Sequence, residues 1–205
     1  MIASHRHPDP ETARTYLRDA ETRNPGAWIA HSQNVAVAAR AFAERIPDLD
    51  PERAEVFGLL HDIGRRVGVI GMRHVYDGYR FMLAEGWHSV ARICLTHSFP
   101  YQDVRAASSR WDCTPEELDE IERYLSAIEY DRYDELIQLC DSIAVPEGFC
   151  LLEKRLVDVM LRYKNFNDFT LLKWEAFFAI KERFEARMGV PIYNLLPGVV
   201  ETTFS

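Results

Sequence analysis

The sequence predicts an all-α fold, and three observations carry that expectation. Apolar residues recur at spacings of three and four along about seven or eight segments. No segment sustains the period of two that marks a half-buried strand. Helix-start and helix-stop residues (Asp or Thr before Pro, and Gly after an apolar stripe) separate the segments. The 205 residues are 47% hydrophobic, enough for one domain with a substantial core. No linker, repeat or low-complexity tract divides them. A single domain over residues 9–189 is therefore expected, with a mobile tail at 1–8 and an extended tail at 190–205 packed on it.

Taken in order, His5 and His7 lie beside Pro8 and Pro10 and read as solvated. A short helix is expected from Asp9 to Thr22. Asn24-Pro25-Gly26 leads into a helix from about Ala27 to Ile46, whose stripe is Val35, Ala38, Phe42 and Ile46. His31 lies four residues before Val35 on that stripe. Asp50 caps the next helix, with Pro51 in its first turn. Val56, Phe57 and Leu60 mark its core side, and His61 follows Phe57 by four. Gly64, Gly68 and Gly71 then make the most loop-like stretch of the first half.

A helix from about His74 to Ala84 puts His74, Gly78, Phe81 and Met82 on one side, and Gly78 would admit another backbone or a ligand. The helix from Trp87 to about Ser98 aligns Val90, Ile93, Cys94 and His97 before Pro100 stops it. His88 falls outside that face and reads as a surface or capping residue. Residues 99–113 read as loop with one helical turn. Thr114-Pro115-Glu116-Glu117 is a capping box opening a helix to about Ile128. From Arg132 to Ala144 another helix turns Tyr133, Leu136, Ile137 and Cys140 inward, with Asp141 four after Ile137. Two last helices are expected at about 149–163 and 168–188. The aromatics of the second, Phe169, Trp174, Phe177, Phe178 and Phe184, read as core rather than a stacking platform.

Composition excludes several classes. The net charge is −8 with both signs interspersed, so no basic face points to a nucleic-acid polymer. No apolar run reaches the roughly 18 residues of a membrane span, and the N-terminus lacks an apolar signal core. Cys94, Cys113, Cys140 and Cys150 form no CxxC pair and read as free thiols in a reducing compartment, so a cytoplasmic location is expected. Oligomeric state is left open.

Six side chains share one property. His31, His61, Asp62, His74, His97 and Asp141 lie on or beside the core-facing stripes of five predicted helices. A lone histidine there is most often a satisfied core residue. Aspartates are harder to place, because an uncompensated buried carboxylate costs several kcal/mol. Asp62 has Arg65 or Arg66 as a possible counter-charge, whereas Asp141 has no basic neighbour in sequence. Imidazole and carboxylate without thiolate suit Fe, Mn, Co, Ni or Zn better than Ca. Four nitrogens and two carboxylates exceed one tetrahedral site and suffice for two ions if a carboxylate bridges.

The order His31, His61-Asp62, His97, Asp141 resembles the HD-domain superfamily of metal-dependent phosphohydrolases over about residues 28–145. His61-Asp62-Ile63-Gly64-Arg65 is similar to the family's doublet turn, and His74 with Gly78 to the His-xxx-Gly helix of its two-metal members. The resemblance implies an HD-type bundle holding one or two divalent transition metals. His31, His61, Asp62 and Asp141 would bind the first ion; His74 and His97, with Asp62 bridging, the second. It implies hydrolysis of a small phosphate ester or anhydride, a nucleotide by family analogy, through a metal-activated hydroxide. Many members carry Lys or Glu after the doublet. Arg65 stands there instead and cannot act as acid or base at neutral pH, but it can hold a phosphate. Arg66 and Arg73 are weaker candidates for that role. An HD-like diiron oxygenase and a non-catalytic metal or nucleotide sensor are the alternative expectations.

Overall fold

A computed structural model describes residues 6–68 and 71–205. His5 lies outside the described residues. Among them the chain forms ten α-helices and one two-stranded antiparallel hairpin. The helices are α1 (Pro10–Arg23), α2 (Ala27–Ala43), α3 (Pro51–Leu60), α4 (Arg73–Ala84), α5 (His88–Thr96), α6 (Pro115–Ala127), α7 (Arg132–Asp141), α8 (Leu152–Tyr163), α9 (Thr170–Met188) and α10 (Val199–Phe204). The expected all-α class holds. None of these helices is long and apolar enough to cross a membrane.

Local chemistry explains the starts. Asp50 accepts from the backbone N–H groups of Glu52 and Arg53, and Pro51 needs no donor at the first position. Thr114 and Glu117 form the capping box of α6, and Asp131 and Asp134 form another on α7.

Several boundaries differ from expectation. α7 stops at Asp141, because Ala144–Val145 leaves the helix to pair with Gly148–Phe149. The stretch after the doublet winds into a 3-10 turn, Ile63–Val67, rather than open loop. The segment from 190 is not extended: it holds a 3-10 turn, Ile192–Leu195, and α10. Ile192, Leu196 and Val199 are buried there, so this segment closes the core. Residues 6–8 also pack. Pro8 is buried, Ser89 Oγ donates to the Arg6 carbonyl at 2.7 Å, and the half-buried His7 ring meets Phe57 edge-on at 6.2 Å.

Two apolar clusters result. The larger joins α1, α2, α3, α5, α7 and α9 through Phe42, Phe57, Leu60, Leu136 and Phe184. The smaller lies among α4, α5 and α6 around Phe99, which stacks on Trp111 at 5.9 Å. Charged groups tie helices at fixed points. Glu55 of α3 accepts from Arg14 of α1 and Arg40 of α2. The fully buried Asp134 of α7 pairs with Arg92 and accepts from Thr96 Oγ1 at 2.7 Å, which locks α5 to α7.

α2 and α3 pack backbone to backbone. A Cβ added at Gly58 would lie 2.4 Å from Ala36 Cα, so only glycine permits this crossing. Gly64 does the same for the turn after α3, where a Cβ would fall 2.0 Å from the His74 carbonyl oxygen. Gly58→Ala is expected to destabilise the protein by about 3 kcal/mol, since backbone cannot yield as a side-chain tip can. Urea unfolding measures this, and an unchanged midpoint would show that α2 and α3 can part freely.

Candidate metal centre

The six predicted residues converge. His31 comes from the first turns of α2, His61 and Asp62 from the end of α3, His74 from the start of α4, His97 from the end of α5 and Asp141 from the end of α7. Gly58 brings α3 onto α2, and so His61 towards His31; their ring centroids are 5.4 Å apart. Gly64 brings the doublet turn onto α4, and so Asp62 towards His74. His61 and His97 rings lie 4.9 Å apart, and those of His74 and His97 5.5 Å.

Three of the imidazoles are held in the same way. Nδ1–H of His61 donates to the Gly58 carbonyl at 2.7 Å, that of His74 to Gly71 at 2.6 Å, and that of His97 to Cys94 at 2.9 Å. A carbonyl only accepts, so Nδ1 carries the proton and the Nε2 lone pair faces the centre. His31 Nε2 lies 2.9 Å from Asp141 Oδ1, and His61 Nε2 lies 3.8 Å from the same oxygen. Asp62 spans the cluster. Its Oδ2 is 3.9 Å from His61 Nε2, while Oδ1 is 3.2 Å from His74 Nε2 and 3.6 Å from His97 Nε2.

Ligand atoms of His31, His61 and Asp141 lie within 4.8 Å of one another, as do those of His61, Asp62 and His97. His74 completes neither trio and meets the cluster through Asp62. Two buried atoms, His61 Nε2 and Asp62 Oδ1, have no hydrogen-bond partner. Orphaned buried acceptors of this kind are costly, and a cation satisfies both. The donor set therefore fits a divalent transition ion.

Arg65 is not a solvated loop charge. Its Nε donates to Asp62 Oδ2 at 2.6 Å, and its Nη2 donates to His74 Nε2 at 3.3 Å. Asn24 Nδ2 holds its carbonyl at 2.6 Å. The other two arginines are committed elsewhere: Arg66 covers the Phe81 ring and bonds Asp19, and Arg73 pairs with Glu117. His88 is exposed at the start of α5, as expected for a surface or capping residue.

A cavity of about 650 Å³ opens onto the cluster. Besides His31, Asp62, Arg65, His74, His97 and Asp141, it is lined by residues of α8 and α9. Two of them differ from the sequence reading. Trp174 is half-buried and borders the cavity rather than lying wholly in the core. Lys173 is buried, a charged side chain on the face that the sequence reads as apolar core. Its signal was present, since Lys173, Phe177, Ile180 and Phe184 share one helical face.

Burial pushes His61 down to about 4, against the pull of Asp62. Burial and the Arg65 charge push His74 down to about 3. Burial is the largest influence on both carboxyls and raises them, but the lowering influences together outweigh it, with Arg65 first among them at Asp62 and the His31 hydrogen bond first at Asp141, and both carboxyls end below the ordinary range. At neutral pH the cluster thus sets two carboxylates beside the neutral imidazoles of His61 and His74, which can take a cation without loss of protons. An unfolded histidine titrates near 6.5. Between about pH 6.5 and 4 the unfolded chain therefore takes up protons that the native His61 and His74 refuse, and stability falls as pH falls. Thermal melts of metal-free protein are expected to show that loss, and His61→Gln to make it shallower. A melting temperature flat from about pH 7 to 5 would mean that the native imidazoles are charged.

The sequence profile of the HD domain matches residues 28–145. No curated protein and no solved structure gives a significant match to the chain. The matched span covers more than half of the chain and contains His31, His61, Asp62, His74, His97 and Asp141. The chain belongs to the HD domain family, a superfamily of metal-dependent phosphohydrolases.

Proposed function

We propose that this protein hydrolyses a phosphate ester or anhydride of a small molecule, with a nucleotide as the substrate class by family analogy. The observation that supports this best is the pair of buried, unpartnered atoms, His61 Nε2 and Asp62 Oδ1, in a cluster whose Asp62 lines an open cavity. When bound there, a divalent ion supplies an activated water and neutralises charge on the phosphoryl group. His31, His61, Asp62 and Asp141 hold the first ion in this reading; His74 and His97, sharing Asp62, hold the second. Arg65 is anchored by Asp62 and has further N–H donors for a phosphoryl oxygen. It stabilises charge that develops there and takes no part in proton transfer. Four free thiols support a cytoplasmic location.

The test is a measurement of metal per chain followed by a screen of generic and nucleotide phosphoesters with added Mn. Hydrolysis is expected, with loss in chelator and a fall in kcat/KM of two orders of magnitude or more in Asp62→Ala, on the order of 3 kcal/mol in the barrier. Hydrolysis that persists undiminished without metal would overturn the reading. Oxygen consumption with no hydrolysis would replace it with the oxygenase. Arg65 and a second ion compete for Asp62 and His74 Nε2. Removing that charge in Arg65→Met is expected to tighten the second ion by about tenfold, on the order of 1.4 kcal/mol. Calorimetric titration reads this, and an unchanged second affinity would assign His74 another role.

A further inference from the structure

The cavity has two walls of different origin. One carries the His/Asp cluster and belongs to the matched span, residues 28–145. The other is made by α8 and α9, which lie beyond it. Lys173 sits in the second wall with only 7% of its surface exposed. Its ammonium donates to the Ala106 carbonyl at 3.1 Å and to Ser108 Oγ at 2.7 Å. Both partners are neutral, and among the described residues no carboxylate pairs with it. An ammonium has three N–H donors, so one is left over.

A buried cation without a counter-ion is expensive. A lysine needed only to tie residues 106–108 to α9 could be an uncharged donor at lower cost. The same wall holds a second uncompensated group: Arg155 Nε of α8 is buried and has no acceptor. Lys154, by contrast, is already neutralised by Asp158 at 2.6 Å. Burial lowers Lys173 to about 8, against the pull of Asp141, so it is mostly charged at neutral pH.

We infer that Lys173, with Arg155 on the same wall, binds a second anionic group of the substrate while the reacting phosphoryl group lies at the His/Asp centre. The inference rests on the phosphohydrolase reading and narrows it. The substrate carries at least two anionic groups, the second being a phosphate or a carboxylate. The family core then supplies the chemistry, and the α8–α9 wall selects what is hydrolysed.

Reductive methylation of the metal-loaded wild-type protein, read at Lys173 by peptide mass spectrometry, tests this without a variant. Methylenediphosphonate or phosphonoacetate is expected to slow Lys173 labelling about tenfold, and inorganic phosphate at equal occupancy much less. Protection by the first assigns a second phosphate; protection by the second assigns a carboxylate. In calorimetry, Lys173→Gln is expected to lower affinity for the protecting anion about tenfold relative to its affinity for phosphate, with Lys173→Arg recovering part of the loss. The proposal is overturned if neither dianion protects Lys173. It is also overturned if Lys173→Gln weakens phosphate and dianion equally, since a merely structural lysine would do that. Protection without hydrolysis of any ester keeps the anion site and removes the phosphohydrolase reading. Hydrolysis with Lys173 unprotected does the reverse.

Discussion

Backbone-to-backbone contact governs this molecule. α3 crosses α2 with no room for a methyl group at Gly58, and the turn that follows lies on α4 with no room at Gly64. Helices separated by ordinary side chains stand 8–10 Å apart. Closer packing at these two points brings histidines from different helices near enough for their imidazoles to meet. The larger core, the Glu55 ion pairs and the Arg92–Asp134 lock hold that geometry from outside.

The electrostatics follow from the same compression. His61 and His74, crowded into a dry centre, shed their protons, and the carbonyls three residues before His61, His74 and His97 decide which ring nitrogen carries the hydrogen. Carboxylates in that centre stay ionised because Arg65 and His31 face them. The centre is left electron-rich and short of a cation, while the wall across the cavity has cations short of an anion. A ligand carrying negative charge at one end of the metal and again at its far end satisfies both deficits.

Much of this was legible in the amino-acid sequence because helical spacing is a local property. His31 falls on the stripe of Val35 and Phe42, and Asp141 on that of Ile137, whatever packs against them. Identity of the partner is not local. Arg65 as the mate of Asp62 was one of two options in the sequence and was decided by the 3-10 turn that curls it back. The necessity of Gly58 could not be seen, since a helical glycine without its crossing partner is merely a weak helix former. Lys173 was visible on an apolar face, but its missing counter-ion shows only when its neighbours in space are known. The segment after residue 190 packs on the domain as its sequence implies, but its turn and helix are not legible there, because its conformation depends on the hairpin and α8 that receive it.

His31 and Asp141 are separated by 110 positions in the chain and touch through one hydrogen bond. An ion held between them joins the second helix to the seventh, and no short peptide of this sequence contains the set. Such an ion cannot be captured by the unfolded chain with comparable strength, so its binding energy adds to folding. Loss of the ion would in turn loosen the join between these two helices, so the metal state of the protein would be read in its unfolding as well as in its activity.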